Sequence, residues 1–105
     1  MVDTKTFREL ALAFDEVTEQ AHFEKWSFRT RKKIFATLDE GNKRVTVKLP
    51  EIEQSVFCKF DSAIIYPANG AWGKQGWTII ELATVRKTML KDALRSSYQC
   101  VSQKG

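Results

Sequence analysis

The sequence predicts an α+β fold, with helices at the two ends of the chain packed on one face of an antiparallel sheet of about five strands. Apolar residues recur with a helical period near both ends, they alternate with polar residues through the middle, and short polar turns join the alternating segments. Because strands and helices are grouped and do not strictly alternate, an antiparallel sheet is favoured over a parallel one. The length of 105 residues predicts one domain, 1–105.

Two terminal helices are predicted, over residues 3–16 and 85–101. Asp3 is a suitable N-cap for the first helix and Thr84 for the second. The apolar stripe of the first helix consists of Phe7, Leu10, Ala11 and Phe14. The stripe of the second consists of Met89, Leu90, Ala93, Leu94, Ser97, Tyr98 and Val101. Residues 17–23 lose the helical period, and we expect them to form a connection.

A three-stranded meander is predicted over residues 26–30, 34–38 and 45–49, where apolar and polar residues alternate. Charged or glycine-containing turns separate these segments. One face of the meander should be partly polar, because every second residue points away from the core. That face is predicted to carry Arg29, Arg44, Thr46 and Lys48.

The second half of the chain adds a short helix over 51–60, which Pro50 can begin, and strands over 64–66 and 77–82. The glycine-rich residues 67–76 between these strands are predicted to be a loop. Apolar residues of the helix recur at Ile52, Val56 and Phe60. We expect one core, shared by Phe7, Leu10, Phe14, Ile34, Val45, Val47, Ile79, Leu90, Leu94 and Tyr98.

The charge of the chain is unevenly distributed. Residues 1–24 contain two basic and six acidic residues, a net −4, whereas residues 25–105 contain 15 basic and seven acidic residues, a net +8. If this separation persists in the folded protein, one side of the molecule attracts polyanions. The alternative is a solvated surface whose charges have no partner.

The sequence contains no recognisable catalytic set. Its one histidine, His22, has no nucleophile motif around it, and Cys58 and Cys100 have neither redox nor metal-ligand spacing. We expect both cysteines to be small buried residues, and we expect no enzymatic activity, cofactor or metal ion. No apolar run approaches the ~20 residues of a membrane span, and no signal-peptide core is visible. We therefore expect a cytoplasmic protein with no membrane partner.

Two segments are candidates for binding. The glycine-rich loop resembles a phosphate loop only superficially, because Ala68 and Gln75 stand where that motif requires glycine and serine or threonine. The loop either presents Trp72 and Lys74 to a partner or folds Trp72 back on the core. The last helix has cations one turn apart, which is typical of phosphate-binding helices and also of solvated ones. These cations are Lys87, Lys91 and Arg95.

Several short motifs, in this order, resemble the MmcQ/YjbR family of small bacterial proteins over about residues 7–101. The matching pieces are Val17-Thr18-Glu19, Lys33-Ile34-Phe35-Ala36, Val47-Lys48-Leu49, Tyr66-Pro67-Ala68, Gly73-Lys74-Gln75-Gly76-Trp77 and Ser97-Tyr98. Lys32 stands where the family usually has a glycine before Lys33. The resemblance implies a frataxin-like (CyaY-like) fold, no known enzymatic activity, and a proposed DNA-binding role through a double wing of loops beside the sheet.

The resemblance points to Lys33, Lys48, Lys74 and Trp77 as DNA contacts, although we expect Trp77 to pack in the core because it opens an alternating strand. Combined with the charge pattern, it predicts a monomeric DNA-binding protein. The predicted contact residues are Arg29, Arg31, Lys32, Lys33, Arg44, Lys48, Trp72, Lys74, Lys87, Lys91 and Arg95. One alternative is a module that binds an acidic protein. The other is a weak metal binder, by analogy with the frataxin-like fold, using Asp15, Glu16, Glu19 and Glu24.

Overall fold

Six strands and four helices follow one another in the computed structural model, which describes residues 2–102 apart from the side chain of His22. The first half of the chain contains α1 (Thr4–Leu12), β1 (Val17–His22), β2 (Lys25–Thr30), β3 (Lys33–Asp39) and β4 (Arg44–Lys48). The second half contains α2 (Glu51–Phe60), β5 (Ile65–Pro67), α3 (Ala71–Lys74), β6 (Trp77–Glu81) and α4 (Lys87–Ser102). Within this part of the chain, no helix has the length and apolarity that a membrane span requires.

The strands form one antiparallel sheet in the order β1-β2-β3-β4-β6-β5. The α+β class is therefore confirmed, but the predicted count of five strands is wrong, because residues 17–22 form an edge strand. The apolar alternation is missing there since Glu19 occupies an inward position of β1, opposite the buried Phe28. Arg8 of α1 compensates its charge by donating a hydrogen bond from Nε to the Glu19 carboxylate at 2.9 Å.

The core lies between the sheet and the two terminal helices. Helix α4 packs across β2, β3 and β4, and α1 contacts both β1 and α4. Phe7, Leu90 and Leu94 are fully buried in this layer, as predicted. The hydroxyl of Ser97 on α4 is also buried, and it donates to the carbonyl of Phe35 at 2.5 Å. This bond ties the helix to the middle of the sheet.

Two residues predicted for the core, Ile34 and Ile79, lie on the opposite face of the sheet. A bulge between β2 and β3 makes Phe35 an extra residue, so that Phe35 and Ala36 both point inward and Ile34 points outward. In β6, Thr78 and Ile80 are the buried residues, and the period of two places Ile79 outside. Both corrections put apolar surface on the open side of the sheet.

Helix α2 is formed where the helical spacing predicted it, and its apolar stripe is exposed. Ile52 is 77% exposed, Phe60 68% and Val56 52%. The contacts of α2 with the core come instead from Phe57 and from Cys58, which is half-buried like Cys100. Burial raises the pKa of the Cys58 thiol. Helical spacing therefore predicted the helix correctly, and its core contacts come from a different face.

Candidate nucleic-acid interface

The face of the sheet opposite α1 and α4 carries the predicted polar residues of β4 and their partners on β6. Cross-strand pairs join Arg44 to Glu81, Thr46 to Ile79 and Lys48 to Trp77. Because Val45, Val47 and Ile80 are buried in the core, their neighbours along each strand must point the other way. We call this surface the open face.

Trp77 lies on the open face, so the expectation that it packs in the core is wrong. The Lys48 ammonium lies 5.4 Å from the centre of the Trp77 ring, within the distance of a cation–π interaction. The ring is half-buried. A cation and an aromatic ring are thus held together at one end of the β4–β6 pair.

A groove of about 410 Å³ runs across the open face beside Trp77. Its floor includes Ile34, Thr37, Thr46 and Ile79, with Lys25 at its rim, and the second aromatic residue in its wall is Trp72. Sequence reasoning missed Lys25, Ile34 and Ile79 as parts of a site. The bulge that turns Ile34 outward leaves no signal in the alternation of this short strand.

Residues 67–76 are more ordered than the predicted loop, since they contain the single helical turn α3. A Cβ atom on Gly73 would lie 2.1 Å from the carbonyl oxygen of Ala68, so only glycine fits there. The side chain of Gln54 on α2 donates to the Gly73 carbonyl at 3.0 Å and to the Thr78 hydroxyl at 3.1 Å. These contacts hold α3 in place while Trp72 remains 63% exposed. Trp72 is therefore neither on a loose loop nor folded into the core.

The β2–β3 turn brings further predicted cations to the same end of the sheet as Lys48. Arg31 and Lys32 have φ angles of +52° and +66°, so the turn forms with Lys32 at the position where the resemblance implies a glycine. Both residues and the adjacent Lys33 are exposed. Arg31 makes only a long contact of 4.0 Å with Glu16. Arg29 also lies on the open face, and its Nε donates to the Ser27 hydroxyl at 3.1 Å.

Arg44 is at the opposite end of the open face, and its charge is already paired. Its Nε donates to the Glu81 carboxylate at 2.8 Å, and the Tyr66 hydroxyl donates to the same oxygen. Hydrogen bonding to Glu81 raises the pKa of Arg44, and the carboxylate also raises the pKa of the Tyr66 phenol. Of the predicted contacts, Arg44 is therefore the one whose charge is most directly compensated.

The three cations of the last helix do not join this surface. They are exposed on α4, which covers the other face of the sheet. The sheet therefore separates Lys87, Lys91 and Arg95 from Lys48, Trp72 and Trp77, and one flat ligand surface cannot include both groups.

The acidic residues of the first quarter of the chain are also dispersed. Glu19 bonds to Arg8, and Glu16 lies near Arg31. Among the residues whose side chains the structure describes, no group of three or more histidine, cysteine or acidic residues is placed to hold a metal ion. The side chain of His22 lies outside that set.

Known proteins resemble this chain both in sequence pattern and in fold. The YjbR family model matches residues 12–100, which is most of the chain. The structure is similar to the crystal structure of protein DR2400 from Deinococcus radiodurans, which contains a domain designated DUF419. The TM-score is 0.86 at 22% sequence identity, covering 100% of this chain and 82% of DR2400. A search of curated proteins found no match. The chain belongs to the YjbR family.

Proposed function

We propose that this YjbR-family protein binds DNA, without an enzymatic step, through the open face of its sheet and the loops beside it. The observation that supports this most strongly is the placement of Lys48 against Trp77, next to the exposed Trp72, on the face opposite α1 and α4. Cations hold phosphates, and exposed aromatic rings stack on bases. Neither type of group is needed on this face to build the core.

The arrangement of the loops is consistent with a double wing. The β3–β4 turn precedes Arg44, at one end of the β4–β6 pair, and the glycine-rich segment precedes Trp77, at the other end. The β4–β6 pair contains five cross-strand residue pairs, counting those at its two ends. The ends are therefore roughly 14 Å apart along the strands. The two loops thus bracket the open face, as a pair of wings around a ligand would.

The cations are concentrated at one of these ends. Lys33 begins β3 and Lys48 ends the antiparallel β4, so both lie at the end where Trp77 begins β6. The exposed Lys74 ends α3, and two residues separate it from the start of this strand. We therefore propose that phosphates bind at the Lys48 end, with less contribution from the paired Arg44.

The test is a salt titration of DNA binding, followed by the anisotropy of a labelled oligonucleotide. Lys48→Gln should reduce the slope of log K against log salt by about one unit, because one phosphate contact is lost. Lys91→Gln is the matched control, since it removes the same charge from the helix layer. Lys5→Gln is a second control on the exposed part of α1. Arg8 is unsuitable, because it bonds to both Glu19 and Glu40.

Equal effects of Lys48→Gln and Lys91→Gln would show that binding depends on total charge and not on the open face. Absence of salt-dependent binding at about 50 mM salt, where electrostatic contacts should be strong, would refute the DNA proposal. The acidic-protein alternative uses the same surface. It would be favoured if polyglutamate displaced DNA at equal charge concentration.

A further inference from the structure

We infer that the open-face groove takes an unpaired nucleotide of a single strand, whose base stacks on a tryptophan ring while its phosphates lie near Lys25 and Lys48. This inference rests on the proposed function and specifies its ligand. Isoleucine side chains form part of the floor of the groove, whereas a lysine lies at its edge. Duplex binding would need the charged edge alone.

The floor of the groove is suited to the face of a base. Ile34 and Ile79 lie there because of the bulge in β3 and the period of β6, and two tryptophans line the same space. In a duplex the base faces are stacked on one another, so the surface it offers consists of phosphates and groove edges. A duplex lying on this face would leave the remaining exposed apolar surface of this groove uncovered, whereas a splayed base would cover it.

The size of the groove fits this ligand. Its volume of about 410 Å³ lies within the range of roughly 300–1,000 Å³ occupied by small-molecule sites, so it can accommodate a nucleotide. The strands β3, β4 and β6 are adjacent, which makes the floor about 10 Å across.

The charge of the rim complements a phosphate chain. None of the side chains lining the groove is acidic, and Lys25 lies at its edge. Lys48 contacts the Trp77 ring and remains half-exposed, so its ammonium is available close to a stacked base. A nucleotide combines one aromatic face with one negative charge, and the groove offers the two complementary features side by side.

The stacking platform is also ordered before binding. The close approach of Gly73 to Ala68 and the hydrogen bonds from Gln54 fix α3, so the backbone beneath Trp72 does not have to be ordered by the ligand. Pre-ordering reduces the entropy that binding must overcome. The exposed Trp72 ring then gains apolar contact when a base covers it.

The experiment compares three labelled ligands of about ten nucleotides: a thymidine homopolymer strand, an abasic strand of equal length and charge, and a duplex of equal length. We expect the thymidine strand to bind at least about tenfold more tightly than the abasic strand, because base–aromatic stacking is the difference between them. We also expect it to bind more tightly than the duplex at the same salt concentration.

Trp72→Ala should weaken binding of the thymidine strand by roughly 5- to 150-fold and leave the abasic strand unaffected. Trp72→Phe should restore most of the loss, because it returns a ring to the groove wall. Trp26→Phe is the matched control, since Trp26 lies against Arg8 and donates to Glu40, on the helix side of the sheet. Trp72 is exposed, so its variants should keep the parent's circular dichroism and melting temperature.

The outcomes separate this inference from the proposal on which it rests. Equal binding of the thymidine and abasic strands, or tighter binding of the duplex, would overturn the single-strand inference while leaving DNA binding in place. An equal effect of Trp72→Ala on the thymidine and abasic strands would also overturn it. Failure of all three ligands to bind at about 50 mM salt would remove the proposed function itself.

Discussion

Replacing Ser97 with alanine should destabilise the protein far more than the loss of one hydroxyl normally does. Ser97 is fully buried, and its hydroxyl bonds two strands at once. It donates to the Phe35 carbonyl of β3 at 2.5 Å and accepts from the Lys48 amide of β4 at 3.0 Å. In Ser97→Ala, both backbone groups lose this partner at the contact between α4 and the sheet.

Each buried backbone group left unsatisfied costs about 1–3 kcal/mol. The higher helix propensity of alanine offsets about 0.5 kcal/mol of the total. We therefore expect Ser97→Ala to lower the free energy of unfolding by about 1.5–5.5 kcal/mol, a large part of the ~5–15 kcal/mol typical of a domain. Urea denaturation followed by circular dichroism should show the midpoint falling by more than about 1 M, with an unchanged slope.

Ser55→Ala is the matched control, because it removes a hydroxyl from an exposed position of α2. It should leave the free energy of unfolding within about 0.5 kcal/mol of the parent value. A loss below about 0.5 kcal/mol in Ser97→Ala would refute the argument, since it would mean that the two backbone groups find other partners.

Three further predictions use the same urea assay. Gly76→Ala should cost about 3 kcal/mol or more, because φ is +104° there and a Cβ would lie 2.1 Å from the Leu49 carbonyl oxygen; a midpoint equal to the parent's would contradict this contact. Lys32→Gly should add about 0.5–1 kcal/mol of stability, because glycine adopts the positive φ of this turn without strain; a loss of stability would show that the turn is unstrained. The hydrogen bond from the Arg8 guanidinium lowers the pKa of the Glu40 carboxyl. The stability that this ion pair contributes is therefore present above the unfolded pKa of about 4.3, and it is lost as the pH falls through the lower pKa of the folded state. Glu40→Gln should remove that part of the acid sensitivity, and an unchanged pH profile would contradict the pairing.

The helices and most strands could be predicted because each has a stripe or an alternation that the core enforces. The core side of β4 is an example, since Val45 and Val47 are buried as their alternation predicts. Strand β1 could not be predicted, because its inward Glu19 is stabilised by Arg8 from another element. Such a pairing between distant residues leaves no periodic signal in the sequence.

The candidate site could also be predicted only in part from the periodic pattern of the sequence. The period of two correctly predicted the outward positions of Arg44 and Lys48, which follow from the burial of their neighbours. The outward position of Trp77 could not be derived, because a strand with apolar residues on both faces gives no indication of which face is covered. The bulge beside Ile34 is equally invisible in the sequence, since it depends on pairing with β2.

The apolar residues of the open face therefore bear on function more directly than its charges do. Surface cations are common in proteins and contribute to solubility whether or not a ligand exists. Ile79 and Trp77 are different, because they line a groove on the side of the sheet opposite α4, where both remain partly accessible to a ligand. Their presence beside Lys48 favours a ligand that has both an apolar face and a negative charge. A nucleotide with an unstacked base has both, and a paired one exposes only the charge.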